Sequence, residues 1–380
     1  MFVSLIEKFR PAAKKTATYR ALPSVIDHQK VALQSIAAEG EISDKLGGLS
    51  ERFPEERVLL NTVSGGYRQF SRTGITPADA YYAFRQLYCR TKGAVNAEIG
   101  EHLSSLFPRP PVPESISSIF GNFTKADIRR IVSSLLRDGT YFLEQRIPSP
   151  AVAELIESTD REALKGCALN SSGDGARTMY PESALLACSM MTKIATDPLL
   201  YFVVSEYLNV EPVLTYVNAW ISRPHRNSPE TLSSTAQLFH FDMSHPRFLK
   251  AFIYLNDVSE TNGPHCVIPK THREKAEALW RDGRISDEEM TNYYPKETWK
   301  VHVGGSGSVI LVDTSAFHKG VPLMEGHRRL AELYYTDTLF GEHVPTYKSF
   351  PAFDPFQFGS DIRDYTPRLF SRYAARIEAS

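Results

Sequence analysis

Gln237-Leu238-Phe239-His240-Phe241-Asp242 reads as a strand. A strand sends successive side chains to opposite faces, so His240 and Asp242 project together while Phe241 turns the other way. A histidine and an aspartate in that relation aim two metal ligands at one point. Around this stretch the chain reads as short strands: Val213 to Ser222, Ala236 to Asp242, Leu249 to Asn256, Cys266 to Pro269, Val301 to Val303, Ser308 to Asp313 and Leu330 to Asp337. Glycine-bearing turns separate them, and no long helix intervenes apart from one insert. That pattern argues for an antiparallel sandwich or barrel, best matched by a double-stranded jelly roll. The insert, residues 273–296, is charged and helix-like; it reads as a lid over the barrel mouth or as a solvated surface excursion.

Upstream, Thr124-Lys-Ala-Asp127 can cap a helix running through Leu136 that ends at Asp138-Gly139, with a strand at Thr140 to Glu144. Pro150 opens a helix over Ala151 to Glu157, Asn170 to Gly175 reads as a Gly/Ser-rich loop, and a third helical stretch spans about Pro181 to Leu208. Residues 1–107 read as helical, most clearly from Pro77 to Phe107, where apolar residues recur every three or four positions. Pro108-Arg-Pro-Pro-Val-Pro113 breaks that periodicity. The organisation expected is therefore a helical N-terminal region (1–107), a Pro-rich linker (108–123), a jelly-roll domain (124–345) and a C-terminal extension (346–380). The fold class is α+β with a mainly β core.

With 380 residues, 42% hydrophobic and 23% charged, the chain can bury a large core. A formal net charge of −1 gives no global reason to expect nucleic acid or an anionic membrane as partner. Four scattered cysteines suggest neither a zinc knuckle nor a disulfide framework and point to a reducing, cytoplasmic setting. The opening residues carry too short an apolar run for a signal peptide, and no run of 18 apolar residues follows, so a soluble protein is expected.

A strand at Ser308 to Asp313 runs off Gly304-Gly-Ser-Gly307 and leads to His318, at a strand end or rim where a jelly roll keeps its mouth. His240, Asp242 and His318 together make the two-histidine, one-carboxylate set that holds non-haem Fe(II) and leaves positions open for a chelating 2-oxo acid and O₂. A 2-oxo acid with a distal carboxylate needs a fixed cation, which arginine's planar fork supplies. Arg328 and Arg329 follow at the start of the next strand. Arg329 shares its face with Ala331 and Leu333, and Arg328 with Glu332, so alternation favours Arg329 as the inward residue. His265 is read as a possible pocket residue, His272 as a structural hydrogen-bonding one, and His245, His302 and His327 as surface or supporting residues. Tyr216, Asn218 and Trp220 face either the cavity or the core.

The phrase from Gln237 to Val258 resembles the core of the phytanoyl-CoA dioxygenase family of Fe(II)/2-oxoglutarate oxygenases, in which Q-x-W-H-x-D precedes L-K-x-F-I-Y-L-x-D-V. Asn262-Gly-Pro-His-Cys-Val-Ile-Pro-Lys-Thr-His272 resembles the family's N-G-x-x-x-x-x-P-G-S-H, and the likeness covers roughly residues 124–345. The resemblance implies His240, Asp242 and His318 as iron ligands, Arg329 on the distal carboxylate of 2-oxoglutarate, and Gln237 bordering the co-substrate. It implies Fe(II), 2-oxoglutarate and O₂ as cofactor and co-substrates, with ascorbate stimulatory, and release of succinate and CO₂ as a small molecule is hydroxylated or otherwise oxidised. Phe239 stands for the frequent tryptophan and Lys270-Thr271 for the usual Gly-Ser. Asp242 is present where halogenating relatives lack a carboxylate. Two other classes stay open: a cupin-like metal enzyme that uses no 2-oxo acid, and a catalytically silent binding protein. Residues 1–107 lie outside the likeness; shaping the pocket, homodimerisation and packing on the barrel are roles open to them.

Overall fold

The computed structural model describes residues 28–164, 170–172, 176–225, 228–342 and 368–374. Five helices come first: α1 (His28–Ala38), α2 (Glu41–Leu49), α3 (Arg57–Thr73), α4 (Ala78–Arg90) and α5 (Ala94–Leu106). In α3, Leu60, Val63, Tyr67 and Phe70 recur at helical spacing and are buried, and Gly74 ends the helix at φ 69°, where a side chain would be strained. A hairpin not expected from the sequence, β1 (Ser115–Ser118) with β2 (Gly121–Thr124), follows the proline run.

Helix α6 (Lys125–Asp138) starts at the expected cap: Thr124 Oγ1 accepts from the Asp127 N–H at 3.3 Å, and the Asp127 carboxylate accepts from the Thr124 N–H at 3.0 Å. After β3 (Thr140–Phe142), α7 (Ser149–Leu164) runs longer than expected at both ends. The Asn170–Gly175 stretch is not simply a loop: β4 (Asn170–Ser172) pairs with β5 (Arg177–Met179), while residues 173–175 lie outside the described residues. The single helix expected over 181–208 is three: α8 (Glu182–Leu186), α9 (Ser189–Ala195) and α10 (Pro198–Leu208). Pro198 has no N–H to continue a helix, and Asp197 recaps it by accepting from the Leu199 N–H at 2.9 Å.

The remaining elements are β6 (Val213–Ser222), α11 (Pro229–Ser234), β7 (Phe248–Tyr254), β8 (His265–Val267), α12 (Asp287–Thr291), β9 (Lys300–His302), β10 (Val309–Val312), β11 (His318–Gly320), β12 (Arg328–Thr336) and α13 (Ser371–Ala374). They form the jelly roll: a seven-stranded sheet ordered β3-β10-β7-β12-β6-β5-β4 and a three-stranded sheet ordered β11-β8-β9. Two readings need correction. Ala236 to Asp242 is not a continuous strand but two bridges, Phe239 to Ile285 and His240 to His318. The insert carries only α12 and single 3₁₀ turns rather than sustained helix.

Both faces of the large sheet are covered. On β12, Ala331, Leu333 and Tyr335 point into a core shared with the helices, while Arg328, Leu330 and Glu332 line the interior of the roll. The helical core reaches from Ala32 to Phe370, so the N-terminal helices and the sheet bury one another. Phe340, just past β12, stacks on Tyr67 at 3.7 Å between ring centres, with Phe70 and Phe84 edge-on.

Candidate metal centre

The two segments that carry the histidines are pinned to each other by backbone: His240 N–H donates to His318 O at 3.1 Å, and His318 N–H donates to His240 O at 2.9 Å. Asp242 N–H donates to Thr314 O at 2.8 Å, which brings the third side chain to the same place. One ligand atom from each of His240, Asp242 and His318 lies within 4.8 Å of the others. His240 Nε2 is 3.9 Å from Asp242 Oδ1, and His318 Nε2 is 4.0 Å from Asp242 Oδ2.

Each imidazole is oriented by its other nitrogen. His240 Nδ1 is 3.0 Å from Leu238 O and His318 Nδ1 is 3.0 Å from Ala316 O. A carbonyl can only accept, so Nδ1 carries the proton and Nε2 presents a lone pair toward Asp242. Burial lowers the pKa of both rings, for His240 with His318 adding to the shift, and this keeps them neutral. The Asp242 carboxylate meets the Lys250 ammonium through Oδ2 and turns Oδ1 toward His240 Nε2. Two neutral nitrogens and a carboxylate converging within 4.8 Å fit a divalent cation.

Behind the trio lies a buried charge relay that the sequence reading missed. Lys250 Nζ sits 3.0 Å from Asp242 Oδ2 and 2.8 Å from Glu332 Oε1, and Asn218 Nδ2 donates to Glu332 Oε2 at 3.3 Å. Lys250→Met would leave two carboxylates without their cation; it is expected to cost about 3–5 kcal/mol of stability, read from a denaturant midpoint.

The pocket in front of the trio measures about 130 Å³, and its wall includes Arg177, Trp220, His265, Phe252 and Arg328. Arg328, not Arg329, faces this pocket. Arg328 is 4% exposed, donates to Gly263 O, and keeps a buried Nε–H without partner. Arg329 points the other way, where its guanidinium pairs with Asp160 at 3.1 Å and lies over the Tyr180 ring. The expectation for Arg329 failed because the apolar residues it shares a face with, Ala331 and Leu333, pack on the helices rather than inside the roll.

Arg177 is a second missed cation. It aligns across the sheet with Ser222, which aligns with Arg328, so both guanidiniums share a face. Arg177 lies over Trp220 at 4.7 Å, also keeps an unpartnered Nε–H, and its pKa is lowered to about 10 by burial and by Arg328. Gln237 is not brought to the pocket wall. It has the parity of Phe239 and Phe241, opposite to the ligand face, and is buried with Oε1 unpartnered.

The other histidines support the barrel. His245 Nδ1 meets Tyr334 Oη at 3.0 Å, His302 Nε2 meets Thr140 Oγ1 at 3.0 Å, and His272 Nε2 meets Leu136 O at 3.2 Å. Burial pushes His245 and His302 down to about 3 from an ordinary 6.5. The unfolded chain therefore binds more protons between those values, and stability falls as pH drops from 6.5 toward 3, by about 1.4 kcal/mol per pH unit for each ring. His302→Gln should flatten urea midpoints measured from pH 7 to pH 4 by one ring's share.

Two histidines and one carboxylate in this arrangement form the ligand set of non-haem Fe(II) oxygenases. Residues 200–331 match the family described as phytanoyl-CoA dioxygenase (PhyH). The chain is also similar to the 2-oxoglutarate-dependent epimerase SnoN of nogalamycin biosynthesis, at 17% identity over 56% of this chain and 84% of that one, TM-score 0.45. Similar values hold for EctD from S. alaskensis with bound Fe (19%, 61% and 87%, TM-score 0.45) and for HygX from Streptomyces hygroscopicus with nickel and 2-oxoglutarate (17%, 61% and 94%, TM-score 0.43). No curated protein matches the chain by sequence.

Proposed function

We propose that this protein is an iron(II)/2-oxoglutarate-dependent dioxygenase that oxidises a small molecule, most simply by hydroxylation, with His240, Asp242 and His318 as the iron ligands. The observation that carries the assignment is the convergence of two Nε2 lone pairs and the Asp242 carboxylate within 4.8 Å of one another. Iron bound there supplies the oxygen chemistry and the oxidative decarboxylation of 2-oxoglutarate to succinate and CO₂.

The chain's own contribution is placement. Arg328 takes the role first read for Arg329 and grips the distal carboxylate through its free Nε–H, with Arg177 as the second cation facing a dicarboxylate co-substrate. Trp220 and Phe252 wall the pocket against water. Lys250 occupies one side of the Asp242 carboxylate, which favours ligation through a single oxygen. Helices of the 1–107 region brace the insert: Arg85 pairs with Asp282 at 2.5 Å and Lys92 with Glu277 at 2.6 Å, so the region acts with the 124–345 domain rather than apart from it. Among the described residues no helix is long and apolar enough to cross a membrane. A cytoplasmic setting accords with the scattered cysteines, of which Cys89, Cys188 and Cys266 are free.

The test is direct. Purified protein given Fe(II), ascorbate, O₂ and 2-oxoglutarate should release succinate, and a screen of metabolite pools should yield a product heavier by one oxygen. Metal-dependent turnover that ignores 2-oxoglutarate would favour the cupin-like alternative.

A further inference from the structure

The metal ligands alternate with three phenylalanines. Phe239 and Phe241 flank His240, and Phe317 precedes His318; all three rings are buried on the side away from the pocket. Each of them meets a buried ammonium. Lys319 Nζ lies 4.8 Å from the centre of the Phe239 ring and 5.4 Å from Trp299, held by Asp287 of α12 at 2.5 Å. Lys275 Nζ lies 4.6 Å from Phe241 and 5.7 Å from Phe317, and also 4.5 Å from Trp280 of the insert and 5.5 Å from Tyr88 of α4.

Lys275 is the unusual one. It is 8% exposed, yet among the described residues no carboxylate lies within ion-pair distance of it. Buried ammonium groups are ordinarily paired. In place of a counter-ion it has ring faces and two acceptors, Thr271 O at 2.8 Å and Tyr88 Oη at 3.3 Å. Burial pulls its pKa down to about 7 against Asp313 and Cys89, and the four ring faces oppose the same loss of charge. The acceptor Thr271 belongs to the ligand scaffold as well: its Oγ1 accepts from the Phe317 N–H at 2.9 Å, and Phe317 O accepts from the Ile268 N–H at 2.8 Å.

We infer that Lys275 is a positioning residue for the metal centre, an ammonium that ties Phe241, Phe317, the insert and helix α4 into one bracket behind His240, Asp242 and His318. This rests on the proposed iron site and adds to it a reason for the N-terminal helices: through Tyr88, a residue outside the PhyH match helps set the spacing of the ligands. Because side chains alternate, holding Phe241 and Phe317 fixes the twist of both segments, and with it the direction of the ligand atoms on the opposite face.

The experiment is metal affinity, measured anaerobically by calorimetry with Fe(II) or Co(II) on the full chain. Lys275→Met keeps the bulk and removes the charge; it should weaken metal binding about 10- to 100-fold, as loss of an outer support commonly does, and shift the Co(II) absorption spectrum. Lys275→Arg should recover most of the affinity. If Lys275→Met fails to fold, Trp280→Leu, at the partly exposed rim of the bracket, should weaken binding about 3-fold in the same direction. Lowered thermal stability with wild-type affinity and spectrum would overturn the inference and leave Lys275 a packing residue. Absence of metal binding by the wild type would overturn the iron site itself and this inference with it.

Discussion

Asp242→Ala should leave the fold standing and remove 2-oxoglutarate turnover, with succinate release no greater than that of free iron in the same buffer. The two effects separate because the carboxylate does different work in each. In the fold, Asp242 shares Lys250 with Glu332, at 3.0 and 2.8 Å. Removing Asp242 leaves the Lys250–Glu332 pair in place, so no buried ammonium is stranded, and the denaturant midpoint should move by no more than about 1–2 kcal/mol. At the metal no such substitute exists. Burial raises the Asp242 carboxyl, but the Lys250 ammonium outweighs burial and holds it well below the usual carboxylate range, so it is an anion throughout the physiological range. It is the only anionic ligand among the three, since both imidazoles are kept neutral. Calorimetry with Fe(II) should therefore show a weakened site, and no succinate should form. Turnover that survives the substitution would sink the ligand assignment, and outright unfolding would make Asp242 a structural residue first.

The ligand set was legible because alternation along a chain is a local property. His240 and Asp242 share a parity whether or not the segment pairs as a full strand, so the face they occupy survived the replacement of the expected strand by two bridges. By the same parity Gln237 belonged with Phe239 and Phe241, a signal present in the sequence that the likeness to Q-x-W-H-x-D overrode. Arg177 was hidden differently: its strand is three residues long and follows a Gly/Ser-rich stretch, too short for any period to register. Lys250 lies on a strand read correctly, and it pairs in register with Tyr334 of β12. What the sequence lacked was the partner, since the contact with Glu332 depends on how β7 and β12 are laid side by side.

Arg328 and Arg329 pose the sharpest contrast, because neighbouring arginines should give opposite results. Apolar alternation assigns a face to each residue but not the identity of the layer that covers the face. Here the more apolar face of β12 meets the helices, and the roll interior receives Arg328 and Glu332, so the usual association of inside with apolar is inverted. Arg328 is buried without a carboxylate partner among the described residues and keeps an unpartnered Nε–H, an arrangement that a bound carboxylate would complete. Arg328→Leu removes charge-assisted hydrogen bonds worth about 3 kcal/mol to a bound carboxylate, which corresponds to a rise of about 100-fold in the 2-oxoglutarate KM. Arg329→Leu loses a half-exposed pair with Asp160, worth at most about 1 kcal/mol, and should change that KM by less than about 5-fold. Arg328→Lys keeps the charge but not the fork, and should fall between the two. Initial rates of succinate formation against 2-oxoglutarate concentration for the three variants decide the matter: a large rise with Arg329→Leu and none with Arg328→Leu would restore the alternation-based reading and require β12 to present its other face to the co-substrate.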